Sequence, residues 1–182
     1  MPVDTKQMIS DHLTALLMKK NLEDITVKNL VEDCRISCQT FYYHFQDLTD
    51  VIQWKIHQEI QRSLQNSLKA ESLEESIRFF TSGADRNRQL LKNLLDSPRR
   101  AEMERLLVKA LRSYLKELFS RQFCGAPITG ADLEALLCFC SYGMMGMLLE
   151  ETSSKTAADK QLLTEQLCRL LTGEMFRLPR QS

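Results

Sequence analysis

The chain has 182 residues, 43% hydrophobic and 26% charged, and its 24 Lys and Arg residues balance its 24 Asp and Glu residues. This composition excludes a disordered chain, and the zero net charge excludes a protein that binds nucleic acid through bulk positive charge alone. Only 6 Gly and 4 Pro interrupt a sequence rich in helix-forming residues, so we expect an all-α protein.

The first 70 residues contain four segments with helical periodicity. The segment Asn-Leu-Glu-Asp-Ile at 21–25 separates the first segment from the second, and Thr26 is placed to cap the second. Ser37 is placed to cap a short third segment. The four predicted helices cover about 5–20, 27–34, 38–45 and 49–70.

Five further helices are predicted after residue 70. Ser72 and Glu75 have the spacing of a capping box, Pro98 is tolerated in the first turn of a helix, and Thr129 with Asp132 is another capping signal. These helices begin near residues 72, 85, 98, 129 and 157, and the last two end near 151 and 176. The fold class is therefore all-α with about nine helices.

The second and third helices, with a link of three or four residues, have the pattern of a helix-turn-helix. In this motif the second of the two helices enters the major groove of DNA. Phe41 and Phe45 lie four residues apart, so we expect them to anchor that helix from beneath. Small polar residues lead it, where they can reach base edges or phosphates: Ser37, Cys38, Gln39 and Thr40.

The stretch 26–47 resembles the N-terminal signature of the TetR family of transcriptional regulators. The Ser-x-x-Thr-aromatic-Tyr-x-x-Phe pattern at 37–45 is specific to this signature. The residues that fill the pattern are similar to those of the branch that includes dihydroxyacetone kinase operon activators. The resemblance implies a DNA-binding domain at 1–48, an effector-binding and dimerisation domain at 49–182, and a homodimer on a palindromic operator in double-stranded DNA. The residues that it implies for DNA contact are Thr26, Lys28, Arg35, Ser37, Cys38, Gln39, Thr40, Tyr42, Tyr43 and His44.

Two positions depart from the family pattern. Arg35 stands where the family usually has Gly, which tolerates a left-handed backbone, and Leu48 stands where a Lys usually opens the fourth helix. Residues 1–55 carry six Lys or Arg against eight Asp or Glu, a balance of 6 − 8 = −2. Because phosphate neutralisation dominates DNA affinity, we expect weak non-specific binding. The same balance supports an alternative, a protein-interaction co-regulator with this fold.

The C-terminal half predicts a dimer interface and an effector pocket. Two apolar helices from each of two chains can form a four-helix contact, and Gly143 and Gly146 would let helices approach closely. The expected interface residues are Leu133, Leu137, Cys140, Met144, Leu148, Leu163, Leu167 and Leu170. The resemblance places an effector among helices four to seven, near Trp54, Phe79, Phe80, Met103 and Tyr114.

Several classes of chemistry lack a sequence signal. Cys138 and Cys140 lie two apart and point to different sides of a helix, so we expect structural thiols rather than a metal site or a disulfide; a thiol-based redox-sensing regulator is a further alternative. We see no nucleophile–base set and expect neither enzyme activity nor a cofactor.

With no apolar signal core and no run of about 18 apolar residues, we expect a cytoplasmic protein without membrane contact. Repression is expected over activation, as the family default.

Overall fold

A computed structural model describes residues 4–122, 128–153 and 165–170. Within these ranges every regular element is helical, which confirms the all-α prediction. Residues 165–170 are helical and fall in the predicted ninth helix, whose remaining residues lie outside the described ranges. The elements are α1 (Thr5–Leu17), a 3₁₀ turn (Leu22–Asp24), α2 (Val27–Cys34), α3 (Cys38–His44), α4 (Leu48–Ser67), α5 (Leu73–Arg86), α6 (Arg88–Leu95), α7 (Arg100–Gln122) and α8 (Gly130–Ser153).

Side-chain caps fix the N-termini of the short N-terminal helices. Thr26 Oγ1 accepts a hydrogen bond from the Asn29 amide at 3.1 Å, and Asn29 Oδ1 accepts one from the Thr26 amide at 3.2 Å, which completes a capping box. Ser37 Oγ accepts a bond from the Thr40 amide at 3.0 Å. These caps satisfy backbone donors that a helix leaves unpaired, so helices of seven and eight residues begin at defined positions.

Several helix boundaries lie two or three residues from the expected positions, and hydrogen bonds at the end of α1 and before α7 account for two of them. α1 ends at Leu17 rather than near residue 20, because the Asn93 side chain donates a 2.6 Å hydrogen bond to the Leu17 carbonyl. α7 begins at Arg100 rather than near Pro98. Ser97 Oγ donates to the Leu94 carbonyl at 2.7 Å, so residues 96–99 form the turn between α6 and α7.

One hydrophobic core runs through the described residues. Its N-terminal part lies among α1, α2 and α3, where Ile9, Leu30 and Phe41 are completely buried. α4 contributes Val51 and Ile52 to this part with its first turns, and its C-terminal half packs on α5 and α7. α4 therefore connects the two parts of the protein as a single continuous helix.

A buried polar cluster fixes the far end of α4 to α5 and α7. Ser67 Oγ lies 2.8 Å from the Tyr114 hydroxyl and donates to the Ser76 carbonyl at 3.0 Å, while Ser76 Oγ donates to the Ser67 carbonyl at 3.0 Å. Burial raises the pKa of Tyr114 to about 12, partly opposed by its hydrogen bond to Ser67. Because these buried hydroxyls have partners, the cluster orients three helices without an unpaired polar group.

Candidate nucleic-acid interface

The link between α2 and α3 has a left-handed residue at Arg35, with φ 55° and ψ 42°. The Arg35 amide donates to the Glu32 carbonyl, and the Ile36 amide donates to the Val31 carbonyl at 3.0 Å. This pair of bonds is a complete Schellman motif, in which Val31 is buried and Ile36 packs against the same core. The turn that the family builds with Gly therefore forms here with Arg at positive φ.

α3 has one buried side and one exposed side. Phe41 and Phe45 are 0% and 2% exposed and pack against each other with ring centroids 6.2 Å apart. Tyr42 and Tyr43 are 59% and 84% exposed. Two large aromatic side chains left in solvent on a short helix are typical of a contact surface. The predicted contact residues of α3 lie on this side, with Ser37, Cys38 and Gln39 exposed and Thr40 and His44 half-buried.

Hydrogen bonds within the leading turn limit which side chains can contact bases. The Thr40 hydroxyl lies 2.9 Å from Ser37 Oγ, so the Thr40 hydroxyl has one partner and Ser37 Oγ, which also accepts from the Thr40 amide, has two. A hydroxyl both donates and accepts, and each therefore keeps bonding capacity for a phosphate or base. Gln39 is exposed beside them, and its amide can pair with the N6 and N7 atoms of adenine.

Basic side chains lie on α2 and on the link that follows it. Lys28 in the first turn of α2 and Arg35 in the link are exposed. The Thr26 hydroxyl, also predicted to contact DNA, donates to Asn29 Oδ1 at 2.7 Å and so remains engaged in the cap. Lys28 and Arg35 are thus the two cations of the predicted set that can pair with phosphate.

Several of the carboxylates that give residues 1–55 their negative charge form hydrogen bonds or ion pairs within the protein. Asp4 and Asp47 cap α1 and α4, and Asp50 accepts a bond from the Gln46 amide at 3.1 Å. Asp33 Oδ2 lies 2.7 Å from His12 Nδ1, and Asp11 pairs with Lys55 of α4 at 3.6 Å. These acids stabilise the helices and their packing, which explains why a DNA-binding module would carry them.

A cavity of about 70 Å³ lies among α4, α5, α6, α7 and α8. Of the residues predicted for an effector pocket, Phe80 lines it. Met103 and Tyr114 are buried at 0% and 1% exposure in the core, and Trp54 lines an open groove between α4 and α7. Phe79 is half-buried. Aromatic residues at helical spacing in this chain therefore serve mostly as core, and the cavity walls are mainly aliphatic.

Sequence reasoning missed the polar edge of this cavity. Lys55 Nζ lies 3.3 Å from Glu59 Oε1, and the Asn87 side chain donates to Glu59 Oε2 at 3.3 Å and to the Gly83 carbonyl at 3.0 Å. Lys55 and Glu59 lie four residues apart on α4, a spacing that could have signalled the pair. Nothing in the sequence pairs Asn87 with them, because 28 residues separate it from Glu59.

The structure places the α8 residues predicted for a dimer interface inside the protomer. Leu137, Cys140, Met144 and Leu148 are between 0% and 8% exposed, and Leu133 is half-buried. Of the predicted residues in the ninth helix, Leu167 is buried, Leu170 is half-buried and Leu163 lies outside the described residues. A side chain buried in its own protomer is not available to a second chain, so the buried members of the set need correction: α8 packs them against α7. Leu133, Leu163 and Leu170 stay predictions.

The opposite side of α8 is exposed and apolar. Phe139 and Tyr142 are 76% and 63% exposed, and a Cβ added at Gly143 or Gly146 would meet open space. The segment Gly130–Glu150 has a mean hydropathy of 1.4 and is 33% buried; it is long and apolar enough to cross a membrane by length and composition only. A glycine lowers the stability of a helix by roughly 1 kcal/mol. No close contact within the described residues explains the two glycines on this side of α8.

The described cysteines are free thiols. Burial raises the pKa of Cys34 to about 11 and also raises the pKa values of Cys140 and Cys168. Since the thiolate is the reactive form, these three are poor redox sensors. Cys38 and Cys138 are exposed. Among the described residues there is no cluster of three potential metal ligands.

Comparisons with known proteins identify the fold and the family. A TetR model described as "Transcriptional regulator C-terminal region" matches residues 71–173, more than half of the chain. The fold is similar to the "Dihydroxyacetone kinase operon activator DhaS", with a TM-score of 0.68, 13% identity and coverage of 94% of this chain and 96% of the other. Less similar is the TetR family repressor AlkX from Dietzia sp. strain DQ12-45-1b, with a TM-score of 0.46, 13% identity and coverage of 81% and 97%. No curated protein sequence matches. The chain belongs to the TetR family of transcriptional regulators.

Proposed function

We propose that the protein is a homodimeric transcription regulator that binds a palindromic operator through α3. In this proposal residues 1–48 form the DNA-binding domain and residues 49–182 the effector-binding and dimerisation domain. The observation that carries it is the two-sided build of α3, with Phe41 and Phe45 buried and Tyr42 and Tyr43 in solvent. A helix held in this way can lie in a major groove without repacking the core.

Footprinting on DNA upstream of the protein's own coding sequence tests the proposal. We expect protection of a short inverted repeat. Replacing Gln39 or Thr40 with Ala should weaken specific binding by about 1–3 kcal/mol, roughly 5- to 150-fold, because each would lose base or phosphate contacts. The matched control is Gln65→Ala, which replaces an exposed glutamine on α4 far from α3. This variant should bind DNA like the wild type. Equal affinity of all three variants would contradict the role of α3.

The exposed side of α8 supports dimerisation. Phe139 and Tyr142 form an apolar stripe, and Gly143 and Gly146 leave room for a second backbone to approach. Charged residues bracket the stripe, with Asp132 at one end and Glu150 at the other, which favours a protein partner over a lipid one. A two-fold contact through this side would also present two α3 helices to two half-sites.

Sedimentation and thiol labelling test this interface. Phe139→Asp should convert a dimer into a monomer that keeps its helical content, since the side chain contacts little within the protomer, while Gln65→Asp adds the same charge elsewhere and should stay dimeric. Cys138 lies on the exposed side of α8 and Cys38 on α3. In the dimer maleimide should label Cys38 faster than Cys138, and operator DNA should protect Cys38. A dimeric Phe139→Asp variant would refute the interface.

An effector in the cavity among α4 to α8 would control the spacing of the two α3 helices. Family default favours repression, and the similar DhaS is named an activator. A reporter gene downstream of the footprinted site decides the sign: expression should rise when the regulator gene is deleted. A fall on deletion would assign activation instead.

A second candidate is a co-regulator that acts mainly through a protein partner. It is favoured by the charge balance of residues 1–55, six basic against eight acidic side chains. The footprinting experiment separates the two. Absence of any protected repeat, together with unchanged Cys38 labelling in the presence of upstream DNA, would favour the co-regulator.

A further inference from the structure

A second, smaller cavity lies where α1, α4 and α6 meet. Its volume is about 20 Å³, enough for one water-sized group, which needs roughly 10–15 Å³ by this measure. Four of its lining residues also line the larger cavity: Lys55, Ile56, Leu90 and Leu94. The two cavities therefore adjoin along a shared wall, one in the body and one beneath the DNA-binding module.

Ser10 of α1 lines the smaller cavity with an unpaired hydroxyl. The residue is 1% exposed, and its Oγ atom has no hydrogen-bond partner within the part of the chain that the structure describes. Its carbonyl accepts a bond from Thr14 Oγ1 at 2.8 Å, so only the hydroxyl is unsatisfied. A buried hydroxyl without a partner is unfavourable, and the remaining wall is mostly aliphatic. The site therefore suits one added hydrogen-bonding atom.

We propose that this small cavity is a polar subsite of the effector pocket and receives one oxygen atom of the ligand. The oxygen, from a hydroxyl or a carbonyl, pairs with Ser10 Oγ, and an aliphatic portion fills the larger cavity. The ligand is uncharged, because the ammonium at the shared wall, Lys55, is already paired with Asp11 and Glu59. An anion would compete with these carboxylates, and a cation would face the ammonium.

This inference rests on the proposed function and adds a route of regulation to it. Ser10 belongs to α1, whereas Leu90 and Leu94 belong to α6. In the present arrangement α6 holds α1 through the Asn93 bond to the Leu17 carbonyl. A ligand that places its oxygen at Ser10 and its aliphatic portion in the larger cavity binds only while the two cavities stay adjacent across their shared wall, so it selects this arrangement of α1 and α6.

Binding of 1-pentanol and n-hexane to the full-length protein tests the subsite, since both have six non-hydrogen atoms and only one has an oxygen. Methyl resonances of Leu90 and Leu94 in heteronuclear NMR spectra report occupancy. We expect both probes to shift these resonances. Ser10→Ala should raise the Kd of 1-pentanol about 3- to 10-fold, the value of one hydrogen bond, and leave n-hexane unchanged. Ser63→Ala in the larger cavity is the matched control and should affect neither Kd.

Each other result overturns the inference in a distinct way. If both probes bind and Ser10→Ala does not change the Kd of 1-pentanol, the subsite is absent but the effector cavity stands. If Ser63→Ala weakens 1-pentanol instead, the oxygen lies in the larger cavity. If neither probe shifts the leucine methyl groups, the effector cavity itself fails together with the subsite.

Discussion

Replacing Arg35 with Gly should stabilise the protein while weakening its binding to DNA. Arg35 has φ 55° and is exposed, so its side chain contributes little packing within the protomer. A non-glycine residue in the left-handed region is disfavoured by about 1–2 kcal/mol. Glycine avoids this strain, although its freer unfolded chain takes back roughly 0.5–1 kcal/mol. The midpoints of these two ranges differ by about 0.75 kcal/mol, which is the expected net gain in the free energy of unfolding.

Thermal unfolding at fixed protein concentration measures this gain. For a chain of this size, about 1 kcal/mol corresponds to 2–4 °C in Tm, so we expect a rise of roughly 1–4 °C. Arg35→Ala is the control, because it removes the same charge but keeps a Cβ at positive φ, and its Tm should not rise. Both variants should lose the same DNA affinity if the guanidinium pairs with phosphate. Equal Tm values for the Gly and Ala variants would refute the argument from backbone strain.

Three further predictions follow from buried polar groups and surface charge. Tyr114→Phe should lower the free energy of unfolding in urea by about 1 kcal/mol through loss of its bond to Ser67. The pKa of Tyr114 is raised to about 12 in the folded protein from about 10 in the unfolded chain. The contribution of Tyr114 to stability is therefore complete below pH 10 and is lost as the pH rises to 12. The wild type should lose more stability over that interval than the Phe variant, and equal losses would contradict the assigned pKa. Ser10→Ala should raise the unfolding free energy of the ligand-free protein by about 1 kcal/mol, since it removes an unpaired buried hydroxyl, and a lower value would show that this hydroxyl is satisfied. If Lys28 and Arg35 each neutralise one phosphate, four phosphates are neutralised per dimer, and the plot of log affinity against log salt should have a slope near −3.6, about −0.9 per phosphate. A much steeper slope would require cations outside this set.

The N-terminal helices could be predicted from local signals. Thr26 and Ser37 cap the helices that they were expected to cap, because capping depends on residues three positions apart. The positive φ at Arg35 was also foreseeable, from the place that glycine usually occupies. The end of α1 at residue 17 could not be predicted, because the contact that ends the helix comes from Asn93, 76 residues away.

The C-terminal half shows where pattern reasoning loses information. Apolar residues at helical spacing mark a buried side of α8, but periodicity does not say whether the protomer or a second chain buries it. The residues with the strongest repeat, such as Leu137 and Met144, pack inward. The exposed side contains the less regular set of Phe139, Tyr142 and two glycines. Similarly, the cavity depends on how five helices converge, and no spacing along the chain encodes that convergence.

The continuity of α4 bears on how the protein can be dissected. Val51 and Ile52 are 0% and 3% exposed in the N-terminal core, yet both lie beyond residue 48. A fragment that stops at residue 48 would expose the centre of that core to water, so we do not expect it to fold autonomously. Heating should accordingly melt both halves in one cooperative transition, and a DNA-binding fragment for structural work should extend through at least the first three turns of α4.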